Sequence, residues 1–94
     1  MIRTYEAVII YRAESEKFGP AKEWVGSEFR NSEIKILKEN DIGDRNLAYP
    51  IKKEERGHYI QYDLEAKPEI LKKIDKDFKL KPDILKYIFF RKEK

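Results

Sequence analysis

The strongest constraint on this chain is the order in which its apolar residues change spacing. Thr4 to Tyr11 is rich in Tyr, Val and Ile and too short for a typical helix, which predicts a buried central strand ended by Arg12 and the polar run behind it. Phe18, Ala21, Val25 and Phe29 then recur at three- and four-residue steps, with Trp24 alongside, as the apolar stripe of a helix. Gly19 and Pro20 weaken its first turn. Because proline suits a first helical position, the helix is expected to start near Pro20.

Ile34, Ile36 and Lys38 alternate with Lys35, Leu37 and Glu39, and apolar character returns at Leu47, Tyr49 and Ile51 after a break at Gly43. This predicts one long, bent or bulged strand. Pro50 has no N–H for a ladder, so that strand belongs at the sheet's edge. Lys52 to Arg56 reads as a charged connector ending at Gly57, and His58 to Leu64 alternates again, giving a hairpin with an exposed tip. Pro68, followed by Ile70, Leu71, Ile74 and Phe78 on one face, predicts a second helix closed by Leu80 and Pro82. Ile84 to Phe90 supplies a final strand. The order strand, helix, strand, strand, helix, strand is the split β-α-β arrangement called ferredoxin-like, an α+β fold with a four-stranded antiparallel sheet and two helices on one face.

Ninety-four residues suffice for one core, so a single domain over 1–94 is expected, with a short flexible basic tail at about 91–94. Charged residues make up 41% and hydrophobic ones 40%, enough apolar material for a core under a surface of mixed sign. The net charge of +3 is a weak bias toward an acidic partner, so any electropositive patch must come from arrangement. With no cysteine, disulfides and thiolate chemistry are excluded, and the single His58 cannot build a multi-histidine metal site. No cofactor is expected. Met1 to Ile10 has no long apolar run, so neither a signal peptide nor a membrane-spanning helix is expected there, and a cytoplasmic location follows as the expectation.

Two helices cover only one side of a sheet. Alternation assigns Tyr5, Ala7, Ile9 and Tyr11, with Ile60, Tyr62 and Leu64, to the covered side. Glu6, Val8, Ile10 and Arg12, with Tyr59, Gln61 and Asp63, fall on the open side. If the final strand adds Ile88 and Phe90 there, then Val8, Ile10, Tyr59, Ile88 and Phe90 form an apolar patch suited to a protein partner. The bland alternative is that sheet curvature and long Lys and Arg stems cover it.

Other motifs carry less. Arg56 to Tyr62 is similar to the aromatic third-strand signature of RNA-recognition domains but is one residue short, and such tyrosines more often pack in a core. His58 has no serine or cysteine nucleophile near it in the pattern. Carboxylates are interleaved with lysines, as from Lys72 to Asp77, like a solvated helix face. The four glycines make no phosphate-cradling loop.

Gly43-Asp44-Arg45-Asn46-Leu47-Ala48-Tyr49-Pro50-Ile51-Lys52-Lys53, followed by Gly57-His58-Tyr59, closely resembles the bacterial small-subunit ribosomal protein number six family. The opening Arg3-Thr4-Tyr5-Glu6 matches the family's start, and Leu80 with Asp83 to Tyr87 is similar to its closing segment. The departure lies at Ala13 to Ser32, where Gly19, Pro20 and Gly26 interrupt a smoother helix; a long acidic C-terminal extension is also missing. The resemblance implies a non-enzymatic constituent on the platform of the small ribosomal subunit. Its implied partners are the central domain of 16S rRNA, ribosomal protein number eighteen and other small-subunit components. Carried over onto matching positions, Arg3, Arg45, Lys52, Lys53, Arg56, Lys86 and Arg91 become the candidate RNA contacts, with Arg45 foremost because it lies inside the motif beside a bend.

Two other classes fit the topology. A phosphate-cleaving enzyme needs an anion-binding loop after the first strand, where Ala13-Glu14-Ser15-Glu16 is acidic. A regulatory domain that binds a metabolite and homodimerises through its open sheet face is the alternative reading.

Overall fold

The computed structural model describes residues 1–92. Its elements are β1 (Arg3–Arg12), α1 (Ser15–Asn31), β2 (Lys35–Ile51), β3 (Glu54–Ala66), α2 (Pro68–Lys79) and β4 (Ile84–Arg91). The strands form one antiparallel sheet in the order β2-β3-β1-β4. This is the ferredoxin-like topology, with β2, the strand holding Pro50, at an edge.

Alternation along β1 decides what is buried. Tyr5, Ala7, Ile9 and Tyr11 face the helices and oppose Leu64, Tyr62, Ile60 and His58 on β3. Val25 and Phe29 of α1 and Ile74 and Phe78 of α2 complete that core with no meaningful exposure. Phe78 is the hub of its aromatic part, with ring centroids 5.3 Å from Tyr87, 5.5 Å from Trp24 and 5.9 Å from Phe29. Contacts of this kind add about 0.5–1.5 kcal/mol each beyond area burial.

Helix α1 begins at Ser15 rather than near Pro20, which sits inside it. Two facts make this tolerable. The residue before the proline is Gly19, so the ring meets no preceding Cβ, and Phe18 in the first turn is anchored edge-on to Tyr11 and stacked on His58. The far end is closed by a Schellman pair in which Ile34 N–H bonds Phe29 O at 2.8 Å and Glu33 N–H bonds Arg30 O at 3.2 Å, with Glu33 left-handed at φ 59°. Pro68 starts α2 as the spacing predicts.

The β2–β3 hairpin departs from the simple reading. The connector is only Lys52 and Lys53; Glu54 to Gly57 already belong to β3. Both lysines have positive φ, 50° and 69°, as in a type I′ turn normally built from asparagine and glycine. Register also breaks three times along β2, between Ile36 and Lys38, Asp41 and Gly43, and Asn46 and Ile51. At the last break Asn46 opposes Arg56 and Ile51 opposes Glu54, so residues 47–50 stand against Glu55 alone. The surplus chain forms an arch. It folds over the end of the sheet toward β4, where Lys52 Nζ donates to Ile84 O at 3.0 Å and Lys86 Nζ to Tyr49 Oη at 3.3 Å. Arg12 locks the base, pairing with Glu54 at 3.0 Å and Asp83 at 3.5 Å and donating to Pro82 O.

The end of β4 also differs from expectation. Arg91 is the last residue of β4 opposite Tyr5, and Lys92 donates its backbone N–H to Thr4 O at 2.9 Å, so neither belongs to a free tail. Positions 93–94 of the expected tail lie outside the described residues.

Packing around β3 can be tested at two places. A Cβ at Gly57 would overlap Ile10 Cγ2, a branched side chain fixed on a central strand, and would press on Leu47 Cδ2 and Tyr11 O at 3.4 Å. Gly57→Ala is therefore expected to lower unfolding free energy by about 1–3 kcal/mol in a urea titration. Second, Tyr11 and Tyr62 share a buried hydroxyl–hydroxyl bond of 2.7 Å, and burial drives both phenols far above their ordinary ionisation range. Tyr62→Phe strands the Tyr11 hydroxyl at a cost of about 1–3 kcal/mol, whereas the double Phe variant should recover part of the loss in a double-mutant cycle.

Candidate functional site

Register defines the uncovered side of the sheet as rows running from β2 to β4. One row is Lys38, Asp63, Glu6 and Phe90; the next is Asn40, Gln61, Val8 and Ile88; then come Gly43, Tyr59, Ile10 and Lys86, and finally Arg45, Gly57 and Arg12. Alternation thus puts Ile88 and Phe90 on the open side, where the sequence expects them. Phe90 is 51% and Ile88 37% exposed, with Val8 and Tyr59 half-buried beside them.

Ile10 is the exception among the five patch residues. It is only 7% exposed and lies outside the main core cluster, because its side chain rests over the bare backbone of Gly57 with Leu47 closing in from the arch. The patch offered to solvent is accordingly Val8, Tyr59, Ile88 and Phe90, and Ile10 is a strut beneath the arch. Nothing in simple alternation reveals this; the signal that was available is the glycine directly diagonal to Ile10 in a strand otherwise free of small residues at that end.

The two ends of the open face differ in charge. Around Phe90 the neighbours are Glu6 and Asp63, the latter bonded to Lys92 Nζ at 3.1 Å and to Gln61, and the lysine bond holds the Asp63 carboxyl below the usual carboxylate range. At the other end stand Arg45, Lys52, Lys53 and Lys86. Arg45 is exposed and makes no ion pair among the described residues; its one hydrogen bond, 3.5 Å, goes to the carbonyl of Asp44. Lys53 is exposed at the tip, while Lys52 and Lys86 are tied by the arch bonds described above. Arg56 lies on the helix side of the same hairpin and pairs with Asp44 at 3.3 Å.

Arg3 and Arg91 are not part of this group. Both sit on the helix-facing rows at the opposite end of the sheet, and the length of β1 puts Arg3 about 30 Å from Arg12 at ordinary strand rise. The seven sequence candidates therefore fall into a cluster of five at the hairpin and a distant two.

His58 is a structural residue. Its ring stacks on Phe18 at 3.9 Å, Nδ1 lies 2.8 Å from Asp44 Oδ1 and Nε2 lies 2.6 Å from Asp41 Oδ1, which ties the bulged part of β2 to β3 and α1. No group of three or more His, Asp or Glu side chains among the described residues is placed to hold a metal ion. No helix among them is long and apolar enough to cross a membrane.

Comparison with known proteins fits this geometry. The family model described as ribosomal protein S6 matches residues 4–91. Small ribosomal subunit protein bS6 of Treponema denticola is 35% identical over 92 residues, covering 98% of this chain and 99% of the relative. The protein of the same name from Treponema pallidum strain Nichols is 31% identical over 90 residues, covering 96% and 97%. Among solved structures, 30S ribosomal protein S6 from Thermotoga maritima superposes with a TM-score of 0.87 at 25% identity, covering 98% of this chain and 89% of that one. The C-terminal domain of MgtC from Mycobacterium tuberculosis, at TM-score 0.66 and 12% identity, shares the fold alone. The match spans nearly all of both chains in these two Treponema relatives, so the chain belongs to the ribosomal protein S6 family of the bacterial small subunit, a family of structural components rather than enzymes.

Proposed function

We propose that this protein binds the central domain of 16S rRNA together with ribosomal protein number eighteen, on the platform of the small subunit and next to other small-subunit components. The observation that carries the reading is the division of the open face. Cations gather at the hairpin end, and an apolar patch of Val8, Tyr59, Ile88 and Phe90 lies beside them on the same side of the sheet. Cations at one end meet phosphates and release counterions, and the patch buries against a protein partner. Arg45 and Lys53 are the leading RNA contacts, since neither is consumed by an ion pair among the described residues. Lys52, Lys86 and Arg56 follow them, each already engaged within the chain; Arg3 and Arg91, at the far end, are assigned a separate, secondary role.

The turn itself supports the assignment. Two left-handed lysines in succession cost about 1–2 kcal/mol each relative to glycine-like freedom. Strain of this sort concentrates where the side chains have a task; here Lys52 fastens the arch to Ile84 O and Lys53 carries its ammonium at the exposed tip.

Two experiments test the proposal. Arg45→Ala combined with Lys53→Ala should weaken binding of a 16S central-domain fragment, measured with the partner protein present. Removing one phosphate-binding cation should reduce the slope of log affinity against log salt by about 0.9, so removing two should change it by about 2. Unchanged affinity at physiological salt, with native circular dichroism, refutes the RNA assignment. In the second, Phe90→Asp puts a charge into the patch and should weaken capture of protein eighteen at least about tenfold, as expected for an interface anchor. If the purified chain instead sediments as a homodimer that Phe90→Asp dissociates, and shows no RNA affinity, the metabolite-binding regulatory reading takes its place.

A further inference from the structure

Six tyrosines are present in this chain, and their exposures separate sharply. Tyr5, Tyr11 and Tyr62 are core residues, and Tyr59 and Tyr87 are half-buried. Tyr49 is 58% exposed. It stands on the arch that the third register break creates, with Lys86 Nζ 3.3 Å from its hydroxyl and 5.8 Å from its ring centroid. Lys52 and Lys53 follow three and four residues later in the turn, and the exposed Glu55 is the residue of β3 that stands opposite the arch, so Lys86 is the cation in contact with the ring.

The backbone holds this ring in place. The residue before a proline is confined to extended conformations, and Tyr49 precedes Pro50. On one side of it Leu47 is packed over Gly57; on the other Lys52 is bonded to Ile84 O. An aromatic side chain is thus presented to solvent on a clamped segment, which is an unfavourable use of a large apolar surface unless something covers it.

Other accessible aromatics lack this combination. Phe90 is exposed, but its partner in the ladder on β1 is the carboxylate Glu6, and the nearby Lys92 ammonium is taken up by Asp63. Trp24 is half-buried, packed on Phe78 with Lys81 Nζ 4.9 Å over its ring. Among the described residues, only around Tyr49 does a rigid, exposed ring coincide with cations able to hold the phosphates on either side of a base. That pairing of a stacking face with backbone charge is how proteins hold unpaired nucleotides without reading their sequence.

We infer that Tyr49 is a stacking platform for one unpaired base of the bound RNA, with Lys86 and Lys53 on the flanking phosphates. The inference rests on the RNA-binding reading and adds a mode of recognition to it: a looped-out or single-stranded nucleotide at the hairpin tip, rather than contact with duplex phosphates alone.

The test uses the full chain, the 16S central-domain fragment and the partner protein. Tyr49→Leu keeps apolar cover over the arch but removes the ring; it should weaken binding about tenfold, the loss expected for one stacked base. Since no charge is removed, the salt slope should stay as in the parent. Tyr49→Phe loses only the hydroxyl contact with Lys86 and should bind within about twofold of the parent, an exposed hydrogen bond to a charge being worth little. Tyr49→Trp keeps a stacking surface and guards against a folding artefact in the leucine variant. Ultraviolet irradiation of the parent complex, followed by mass spectrometry, should find a nucleotide cross-linked to Tyr49. If Tyr49→Leu binds like the parent while Arg45→Ala with Lys53→Ala is impaired, stacking is wrong and the RNA reading stands. If Tyr49→Leu and Tyr49→Phe are impaired equally, the hydroxyl and not the ring is what matters, and the inference is overturned. If the parent shows no affinity for the fragment, the RNA reading fails first and this inference with it.

Discussion

Burial of Tyr5, Ala7, Ile9 and Tyr11 against two helices is the constraint from which the rest of the architecture descends. Because β1 has neighbours on both sides, its alternation is imposed on β3 and β4 through the ladder, and every second side chain across the sheet is committed to the core. A slip of one residue would exchange Ile9 for Val8 and Ile60 for Tyr59 and push Glu6 under the helices. The same commitment sends Val8, Ile88 and Phe90 outward, so apolar residues on the uncovered side are not a packing accident. They are what remains when one strand set has both a core to fill and a surface to present.

Much of this was legible in the residues. All six elements follow from periodicity and from the two prolines that mark an edge strand and a helix start, Pro50 and Pro68. The starting point of α1 was not, because a proline inside a helix is readable only with knowledge of what precedes it and of what holds Phe18. Nor was the arch. Alternation along residues 47–51 looks like ordinary strand, and only pairing shows that four residues face Glu55 alone. That hidden surplus buries Ile10, lifts Tyr49 into solvent and draws Lys52 across to β4. The candidate site was therefore visible as a set of residue types, and its division into a cationic end and an apolar end was visible only in three dimensions.

Electrostatics on a nearly neutral chain depends on such placement. A net charge of +3 offers little long-range attraction, yet several carboxylates are paired locally: Asp44 by Arg56, Glu54 and Asp83 by Arg12, Asp63 by Lys92. Arg45, Lys52, Lys53 and Lys86 then outnumber the carboxylates at the hairpin that have no Arg or Lys partner among the described residues, Glu55 and Asp41. The exposed pair of Asp44 with Arg56 contributes little to stability, around 0–1 kcal/mol, so its effect is to shape the local field, whereas the part-buried Arg12 pairs also hold the arch.

The three register breaks in β2 bear on how the molecule avoids unwanted company. A long outer strand with regularly spaced free amides would be a template for another chain to zip onto, leading to open-ended polymers at high concentration. Here the unsatisfied groups fall out of step at Leu37, at Ile42 and along the arch, so no incoming strand can follow them for more than a few residues. Pairing along that edge is thereby cut into short lengths, which disfavours extended strand-to-strand growth from β2.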